Sequence, residues 1–394
     1  MSLKGRAAIV GIGELKPERE THGKTTLGML AEAARQAIED AGLEKEAIDG
    51  LLVPPMPLEV PMIVPATVAE YFSLRTRYAD VVDLGGATGA GMIWRAAAAI
   101  DAGLCETVLC LTGNPREARP PSPGASPGRP RVIDRSAAAE FEAPYGAIGA
   151  NYGYALIAQR HMYEYGTTGE QLAKIAVDQR TNACANPQAI FYGQPITIED
   201  VLSSPMVVEP LRMLEIVMPC AGAAAVLLSS AEAARSAARP AVALLGAGEY
   251  CPHRTITFAP SLTTSAVAVS ADRAFEMAGV KPQDIDLLSI YDCYTITVCV
   301  TLEDAGFCPK GQGGPFVAEH DLTYRGDLPV NTHGGQLSFG QPGLAGGMSH
   351  VTEAVRQLRG EAGERQLSNC DLAFVNGNGG IMSEQCSLVL GRLS

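Results

Sequence analysis

The amino-acid sequence predicts an α/β protein made of two duplicated halves, with strands and helices alternating along the chain and a long segment inserted in the first half. Three observations carry that expectation. The chain has 394 residues, 47% hydrophobic and 19% charged, the balance of a globular protein with a large core, which excludes intrinsic disorder. Residues 34–53 (ARQAIEDAGLEKEAIDGLLV) return as residues 271–290 (ADRAFEMAGVKPQDIDLLSI), so that Ala41-Gly42 falls on Ala278-Gly279 and Ile48-Asp49 on Ile285-Asp286. After each copy the same succession follows, a glycine-rich turn, a helix and a strand, and such alternation implies parallel sheets covered by helices on both faces.

Taken in order, a first strand over Ala7 to Val10 precedes a helix whose apolar stripe is Leu27, Leu30, Ala31, Ala34 and Ile38, with Thr25 or Thr26 as its N-cap and Gly42 as its stop. The Ile-Asp pair and an apolar strand follow. Then come a glycine-rich turn (Leu84 to Gly91), an alanine-rich helix (Met92 to Ala102) and a strand (Thr107 to Leu111) closing on Gly113-Asn114. Residues 115–131 (PREARPPSPGASPGRPR) are too rich in Pro, Gly and Arg for a packed element and read as a surface loop. Helices are expected over Tyr154 to Tyr165 and Gly169 to Arg180, a connecting segment over 199–213, and a strand over 221–230. The second copy continues through His333-Gly334-Gly335, a helix near Met348 to Leu358 and a strand over Leu372 to Val375 that closes on Asn376-Gly377-Asn378-Gly379. The halves are placed at 1–235 and 236–394, with the insertion at about 115–215 forming a cap, and a cleft is expected near their junction.

Several classes of function are set aside. No stretch of 18 uncharged apolar residues is present, and Met1 to Arg6 lacks the apolar core of a signal peptide, so a cytoplasmic protein without a membrane span is expected. Ten cysteines with no CxxC pair fit a reducing compartment better than a disulfide framework or a zinc site. A net charge of −13 argues against nucleic acid as a partner. The arginines at 116, 119, 129, 131 and 135 are suited either to a nucleotide phosphate or to a solvated loop.

Gly11-Ile12-Gly13 after the first strand suggests dinucleotide binding, but the third glycine of that motif would be Lys16 and the helix starts too late. The turn before the alanine-rich helix is where a helix N-terminus would activate a cysteine, yet Gly85-Gly86-Ala87-Thr88-Gly89 holds none. Cys105, Cys110, Cys184 and Cys386 fit core positions. Cys293, in Tyr291-Asp292-Cys293-Tyr294 just after the repeated strand, is read either as a buried thiol or as a displaced nucleophile. Among six histidines, His333 is singled out by its glycine turn Asn331-Thr332-His333-Gly334-Gly335, which would aim the imidazole at a cleft. No spacing suggests a metal site.

These pieces together resemble the thiolase superfamily over essentially the whole chain. The segment Gly85 to Gly113 is similar to that family's nucleophile turn and helix, with Gly86 in the cysteine's place and Thr88-Gly89 in that of Ser-Gly. NTHGGQLSFGQPGLAGG (331–347) is similar to NxxGGxxxxGHPxGxxG, with Gln341 at the histidine. YDCY (291–294) stands at the Asn-Glu-Ala-Phe loop, and Asn378-Gly379-Gly380 at the Cys-x-Gly motif. The resemblance implies a layered α-β-α-β-α fold, a coenzyme A thioester as substrate with no covalently bound cofactor, and a homodimer formed along the strand near Tyr78 to Leu84. It also implies that ordinary thiolase chemistry is gone, because the acylated cysteine, the oxyanion histidine and the acid/base cysteine are all replaced.

The pattern most resembles the lipid-transfer-protein and sterol-carrier-like branch, some of whose members act as aldolases on steroid side-chain thioesters with a small OB-fold, zinc-ribbon partner. Gln341 departs from the tyrosine that some of those aldolases carry. A retro-aldol cleavage of a β-hydroxyacyl-CoA needs a base for the hydroxyl and donors for the enolate, but no acyl-enzyme. The expected site is therefore His333 or Tyr294 as base, Tyr250 in reserve, with Gln341, Asn378 and the backbone near Gly380 as donors. Gly86, Thr88, Gly335 and Gly380 are expected to line the CoA thioester. Two other readings are kept: an acyltransferase using Cys293, and a non-catalytic acyl-CoA or lipid-binding subunit.

Overall fold

The computed structural model describes residues 2–56, 59–60, 62–116, 136–147 and 149–393. The first half contributes β1 (Ala7–Glu14), α1 (Thr26–Ala41), β2 (Gly50–Val53), α2 (Val64–Phe72), β3 (Tyr78–Val81), α3 (Thr88–Asp101) and β4 (Thr107–Asn114). The insertion supplies α4 (Asn151–Tyr165), α5 (Gly169–Cys184), α6 (Ile198–Ser203) and a small hairpin of β5 (Met206–Val208) and β6 (Leu211–Arg212), before β7 (Gly222–Ser230) and α7 (Ala231–Ala234). The second half contains β8 (Val242–Tyr250), α8 (Val267–Ala278), β9 (Leu287–Ile290), α9 (Thr295–Asp304), α10 (Gly313–Glu319), α11 (Ala345–Arg359), β10 (Leu372–Gly379) and β11 (Glu384–Arg392).

Among the described residues, nine strands form one mixed sheet in the order β3-β2-β4-β7-β1-β8-β11-β10-β9. Read inward from each edge, the two halves repeat the same order. β3-β2-β4-β7-β1 is matched by Val330, bridged to Leu288, followed by β9-β10-β11-β8. The halves join where Ala8 and Ile9 of β1 pair with Ala243 and Val242 of β8. The expectation of wholly parallel sheets is corrected, because β7 and β11 run antiparallel to both neighbours. β10 and β11 are joined by the short turn Gly380 to Ser383, and an antiparallel pair needs no crossover helix.

The repeated residues perform repeated tasks. Asp49 Oδ1 accepts from the N–H of Glu106 and Thr107, where β4 begins; Asp286 Oδ2 accepts from Asp371 and Leu372, where β10 begins. Gly42 and Gly279 end their helices in the left-handed region at φ 65° and 69°. Thr25 caps α1 through its side chain, accepting from Gly28 N at 3.1 Å.

Gly11-Ile12-Gly13-Glu14 also has a counterpart, Gly246-Ala247-Gly248-Glu249, and both glycine pairs are packing devices. A Cβ on Gly11 or Gly13 would lie 2.2 or 2.1 Å from carbonyls of α1; on Gly246 or Gly248 it would lie 2.0 Å from carbonyls of α8. The glutamates then clasp the halves together crosswise. Arg95 of α3 holds Glu249 bidentately at 2.6 and 2.9 Å, and Arg356 of α11 holds Glu14 at 2.7 Å.

α3 and α11 pack on each other and each touches strands of both halves, whereas α1 and α8 cover the outer faces. The core divides accordingly into a cluster around Met92, Ile93, Met348 and Val351, one under α1 around Leu30, Leu51 and Leu109, and one around Phe275, Leu288 and Phe374. α4 and α5 of the insertion lie on α9, and Asn182 and Asn186 donate to carbonyls of the 322–333 loop. The segment 199–213, expected only to connect, carries α6 and the β5–β6 hairpin; α6 starts on a capping box between Thr197 and Asp200. The Pro-rich loop lies almost wholly outside the described residues, as do Arg119, Arg129, Arg131 and Arg135.

Candidate active site

The glycine-rich turn before α3 is shorter than its composition suggests. α3 already begins at Thr88, whose Oγ1 accepts from Leu84 N at 3.0 Å and so closes the turn onto itself. Gly85, at φ 55°, faces Gly379, and a Cβ on it would stand 3.2 Å from Gly379 Cα. Gly89 and Gly91 continue the helix because α11 and Leu84 leave no room for side chains.

Gly86 has no room for a side chain. A Cβ placed there would lie 2.3 Å from Asn378 O and 2.4 and 2.5 Å from Cζ and Oη of Tyr291. The space of a residue-86 side chain is thus filled by the phenol of Tyr291. That tyrosine follows β9 directly, with its N–H bonded to Asn376 O at 3.0 Å, and its hydroxyl accepts from Gln341 Nε2 at 3.0 Å. Gln341 is itself held through its backbone, donating to Met218 O at 2.8 Å and accepting from Cys220 N at 3.0 Å. Burial pushes the Tyr291 phenol well above its usual range, so the group is protonated and a donor.

The other residues of the loop surround this centre. Asp292 is fully buried, accepts from Gln336 N at 2.7 Å and Leu337 N at 3.3 Å, and is pushed up to about 8 by burial. Gly335 is obligatory beneath it, since a Cβ there would stand 2.0 Å from Asp292 Oδ2. Cys293 is buried, and burial pushes its thiol up to about 12, which leaves it protonated rather than nucleophilic. Asn378 Nδ2 points at Cys293 Sγ (3.4 Å) and Tyr154 Oη (3.0 Å), and its Oδ1 accepts from Gln385 Nε2 at 2.8 Å. Tyr154 Oη donates to Gly380 O at 2.9 Å, and its ring stacks on Tyr294 at 4.2 Å. Tyr294 Oη donates to Asn151 Oδ1 at 2.5 Å.

His333 lies behind this group. It is 1% exposed; its Nε2 is 3.5 Å from Ser349 Oγ, and its Nδ1 has no partner among the described residues. Its ring is 5.1 Å from that of His350, which in turn is 5.9 Å from Tyr291. Burial, with the charges of Arg365 and Arg356, holds the His333 imidazole far below its usual range and therefore neutral. No described contact joins it to Gly86, Gln341 or Asn378. Tyr250, at the end of β8, pairs with Gln385 and is 39% exposed.

So tertiary structure brings together Gly86, Gln341, Asn378, Cys293 and Tyr294 with Tyr291 and Tyr154, while His333 sits one layer out. Tyr291 was visible in the sequence only as a member of its loop. The missing side chain at Gly86 was the signal that another group must occupy that volume. Although no spacing suggested a metal, His161, Cys299 and Glu303 come within 4.8 Å of one another. Lys310 Nζ already neutralises Glu303 at 3.0 Å, and burial keeps the Cys299 thiol protonated, so the group is an internal ion pair.

Comparison with known proteins identifies the family. Residues 248–392 match the family described as Thiolase C-terminal domain-like. A steroid side-chain-cleaving aldolase of Thermomonospora curvata is 33% identical over 91% of this chain and 91% of its own. This chain belongs to the thiolase superfamily, in its lipid-transfer-protein and sterol-carrier-like branch. An acetyl-CoA acetyltransferase of Methanothermobacter thermautotrophicus is 32% identical over 95% of this chain and 96% of its own. The solved structure of the Ltp2-ChsH2(DUF35) aldolase superposes with a TM-score of 0.87 at 30% identity, covering 99% of this chain and 98% of that one. Gly86, Gln341 and Asn378, expected from the resemblance to stand at the family's catalytic positions, lie around the Tyr291 phenol and its neighbours. Among the described residues no helix is long and apolar enough to cross a membrane.

Proposed function

We propose that this thiolase-superfamily chain cleaves a carbon–carbon bond of a β-hydroxyacyl-CoA thioester by a retro-aldol reaction, with a steroid or other lipid side chain as the substrate class. The observation that carries the proposal is the Tyr291 hydroxyl standing where a nucleophile at position 86 would be, hydrogen-bonded by Gln341. Such a site has no thiolate to acylate, but it has a neutral acid and an amide donor side by side. The kinship with a steroid side-chain-cleaving aldolase supports the same reaction class.

In this reading Gln341 Nε2 hydrogen-bonds the thioester oxygen as the enolate develops. The β-hydroxyl loses its proton and its oxygen becomes a carbonyl. The Cα–Cβ bond breaks as Cα is protonated. The two proton transfers are coupled, because Tyr291 starts protonated: its proton moves to Cα while its oxygen receives that of the hydroxyl, so the enzyme ends unchanged. Asn378 and Tyr154 fix the wall beside Gly380, Tyr294 packs against it, and His333 supports the loop through His350. The acyltransferase reading has the protonated Cys293 thiol against it.

Tyr291, Tyr294 and Asn378 are only 3–4% exposed, which supports a site that opens when a partner docks. The related aldolase structure carries a second component in its name, and a small partner of that kind fits this requirement. A homodimer along β3 is supported by its place at the sheet edge, with Val81, Met62 and Ile63 exposed beside one another.

The test is to incubate the chain, alone and with its candidate partner, with a β-hydroxyacyl-CoA bearing a tertiary alcohol. Mass spectrometry should find the shortened acyl-CoA and the matching ketone, and Tyr291→Phe should slow turnover by about 100-fold or more. A labelled acyl group recovered on Cys293, or unchanged turnover in the Phe variant, would overturn the proposal.

A further inference from the structure

Between the insertion and β7 the chain runs as an irregular strap from Ile216 to Ala221, and its backbone is bonded to several loops of the site in turn. Ile216 is bridged to Tyr294, and the Val217 N–H donates to Cys293 O at 3.2 Å. The Met218 N–H donates to Gln336 O at 3.4 Å, while Met218 O accepts from Gln341 N at 2.8 Å. The Cys220 N–H donates to Gln341 O at 3.0 Å, and Ala221 exchanges two backbone hydrogen bonds with Glu18, at 2.7 and 3.0 Å. The strap thus holds the loop that carries Tyr291 at one end and Gln341 at the other. Those are the two residues whose hydroxyl and amide meet at 3.0 Å.

Such a segment keeps its register only if both of its ends are pinned. At Ala221 it enters β7 and is fixed by the sheet. At the opposite end Leu214 packs on Ala173, Ala176 and Val201, and Glu215 ties the chain to α9. Glu215 is 3% exposed; its Oε1 accepts from Thr295 Oγ1 at 3.3 Å and its Oε2 from Arg212 N at 2.9 Å. Thr295 is the first residue of α9 and follows Tyr294 directly. Both donors are neutral, and burial raises the Glu215 carboxyl above its ordinary range. An apolar side chain would fill this place at a lower desolvation cost, but it would leave the Thr295 hydroxyl and the Arg212 N–H without this acceptor.

We infer that Glu215 is a positioning residue for the proposed reaction: acting through the 216–221 strap, it holds Gln341 in register with Tyr291. It touches neither of them. Its effect on turnover rests on the aldolase reading, whereas its effect on the strap does not, so two measurements are made on the full chain. With the β-hydroxyacyl-CoA, Glu215→Ala should lower kcat by about tenfold and leave KM within about twofold, because the substrate's own contacts remain and only alignment is lost. In a Gln341→Leu background the same substitution should lower kcat by less than about twofold, since the amide it positions is gone. Hydrogen–deuterium exchange read by mass spectrometry needs no turnover. In Glu215→Ala it should quicken in residues 216–221 and 336–341 and stay unchanged in β10 and β11. Should that variant fail to fold, Glu215→Gln, which keeps an acceptor toward Thr295 but sets an amide against the Arg212 N–H, serves for the same measurements. Unchanged exchange in the strap overturns the inference, and so does a loss of turnover that multiplies with that of Gln341→Leu. If the parent chain cleaves no β-hydroxyacyl-CoA, the aldolase reading fails by itself and the exchange measurement alone decides the strap.

Discussion

Replacing Gly86 by alanine tests the central reading without any substrate. The added methyl would meet Asn378 O at 2.3 Å and two atoms of the Tyr291 phenol at 2.4 and 2.5 Å, contacts far inside van der Waals distance that the packed centre can relieve only by moving. Overpacking of this kind costs about 1–3 kcal/mol. Spread over 394 residues, with an unfolding entropy of about 2 cal/mol/K per residue, about 2 kcal/mol lowers the melting temperature by about 2–3 °C. Two of the three clashing atoms belong to Tyr291, so truncating that ring removes most of the conflict. Tyr291→Ala alone leaves a cavity and costs about 3 kcal/mol or more. The Gly86→Ala/Tyr291→Ala double variant should then be more stable than the sum of the singles by about 1–2 kcal/mol. Scanning calorimetry and urea unfolding of the four proteins complete the cycle. Additive effects, or a Gly86→Ala variant that melts with the parent protein, would show that the phenol does not occupy the space of the missing side chain.

Further expectations rest on separate contacts. Asp49→Ala and Asp286→Ala each strip an acceptor from two backbone N–H groups at the start of a strand, so urea unfolding should give similar losses of about 1–3 kcal/mol; a large loss in one and none in the other would contradict their shared task. Asp292 has a folded value of about 8 against an ordinary 3.8. Its stabilising effect is therefore greatest below 3.8 and is lost as pH rises toward 8, and the urea midpoint of Asp292→Asn should fall less over that window than the parent's. His333 is held neutral, below its usual 6.5. The unfolded chain takes up its proton first, so stability falls as pH drops below 6.5, and His333→Gln should flatten that part of the profile. Gln341→Leu removes the donor to the Tyr291 hydroxyl, and turnover of the β-hydroxyacyl-CoA should drop by about tenfold to 100-fold with the fold retained.

The duplication and the alternation of strands and helices were legible in the chain. These properties are local. A glycine stop with an αL cap at Gly42 and Gly279, an apolar stripe at helical spacing, or an Ile-Asp pair before a strand is written in adjacent residues and survives duplication as a repeat. Local reading failed where a residue's role depends on what lies across a packed interface. Gly11 and Gly13, set aside as a dinucleotide turn, showed no role in the sequence; the carbonyls of Ala37 and Ala33 fill the space their side chains would need. The turn of His333 suggested an imidazole facing a cleft, yet Phe339, His350 and Ser349 enclose it.

By itself the sequence determined the fold class, the internal repeat and the absence of a cysteine from the turn before α3. Only the tertiary structure decided what fills the space beside Gly86. Tyr291 and Gly86 are 205 residues apart in the chain, and the phenol reaches that position because β9 pairs beside β10, α3 packs against α11, and Gly379 lets the turn at Gly85 close against it. The same reason explains the ordering of the buried polar groups. Burial raises Tyr291, Asp292 and Cys293 and lowers His333, and burial belongs to the packed chain rather than to any residue in it.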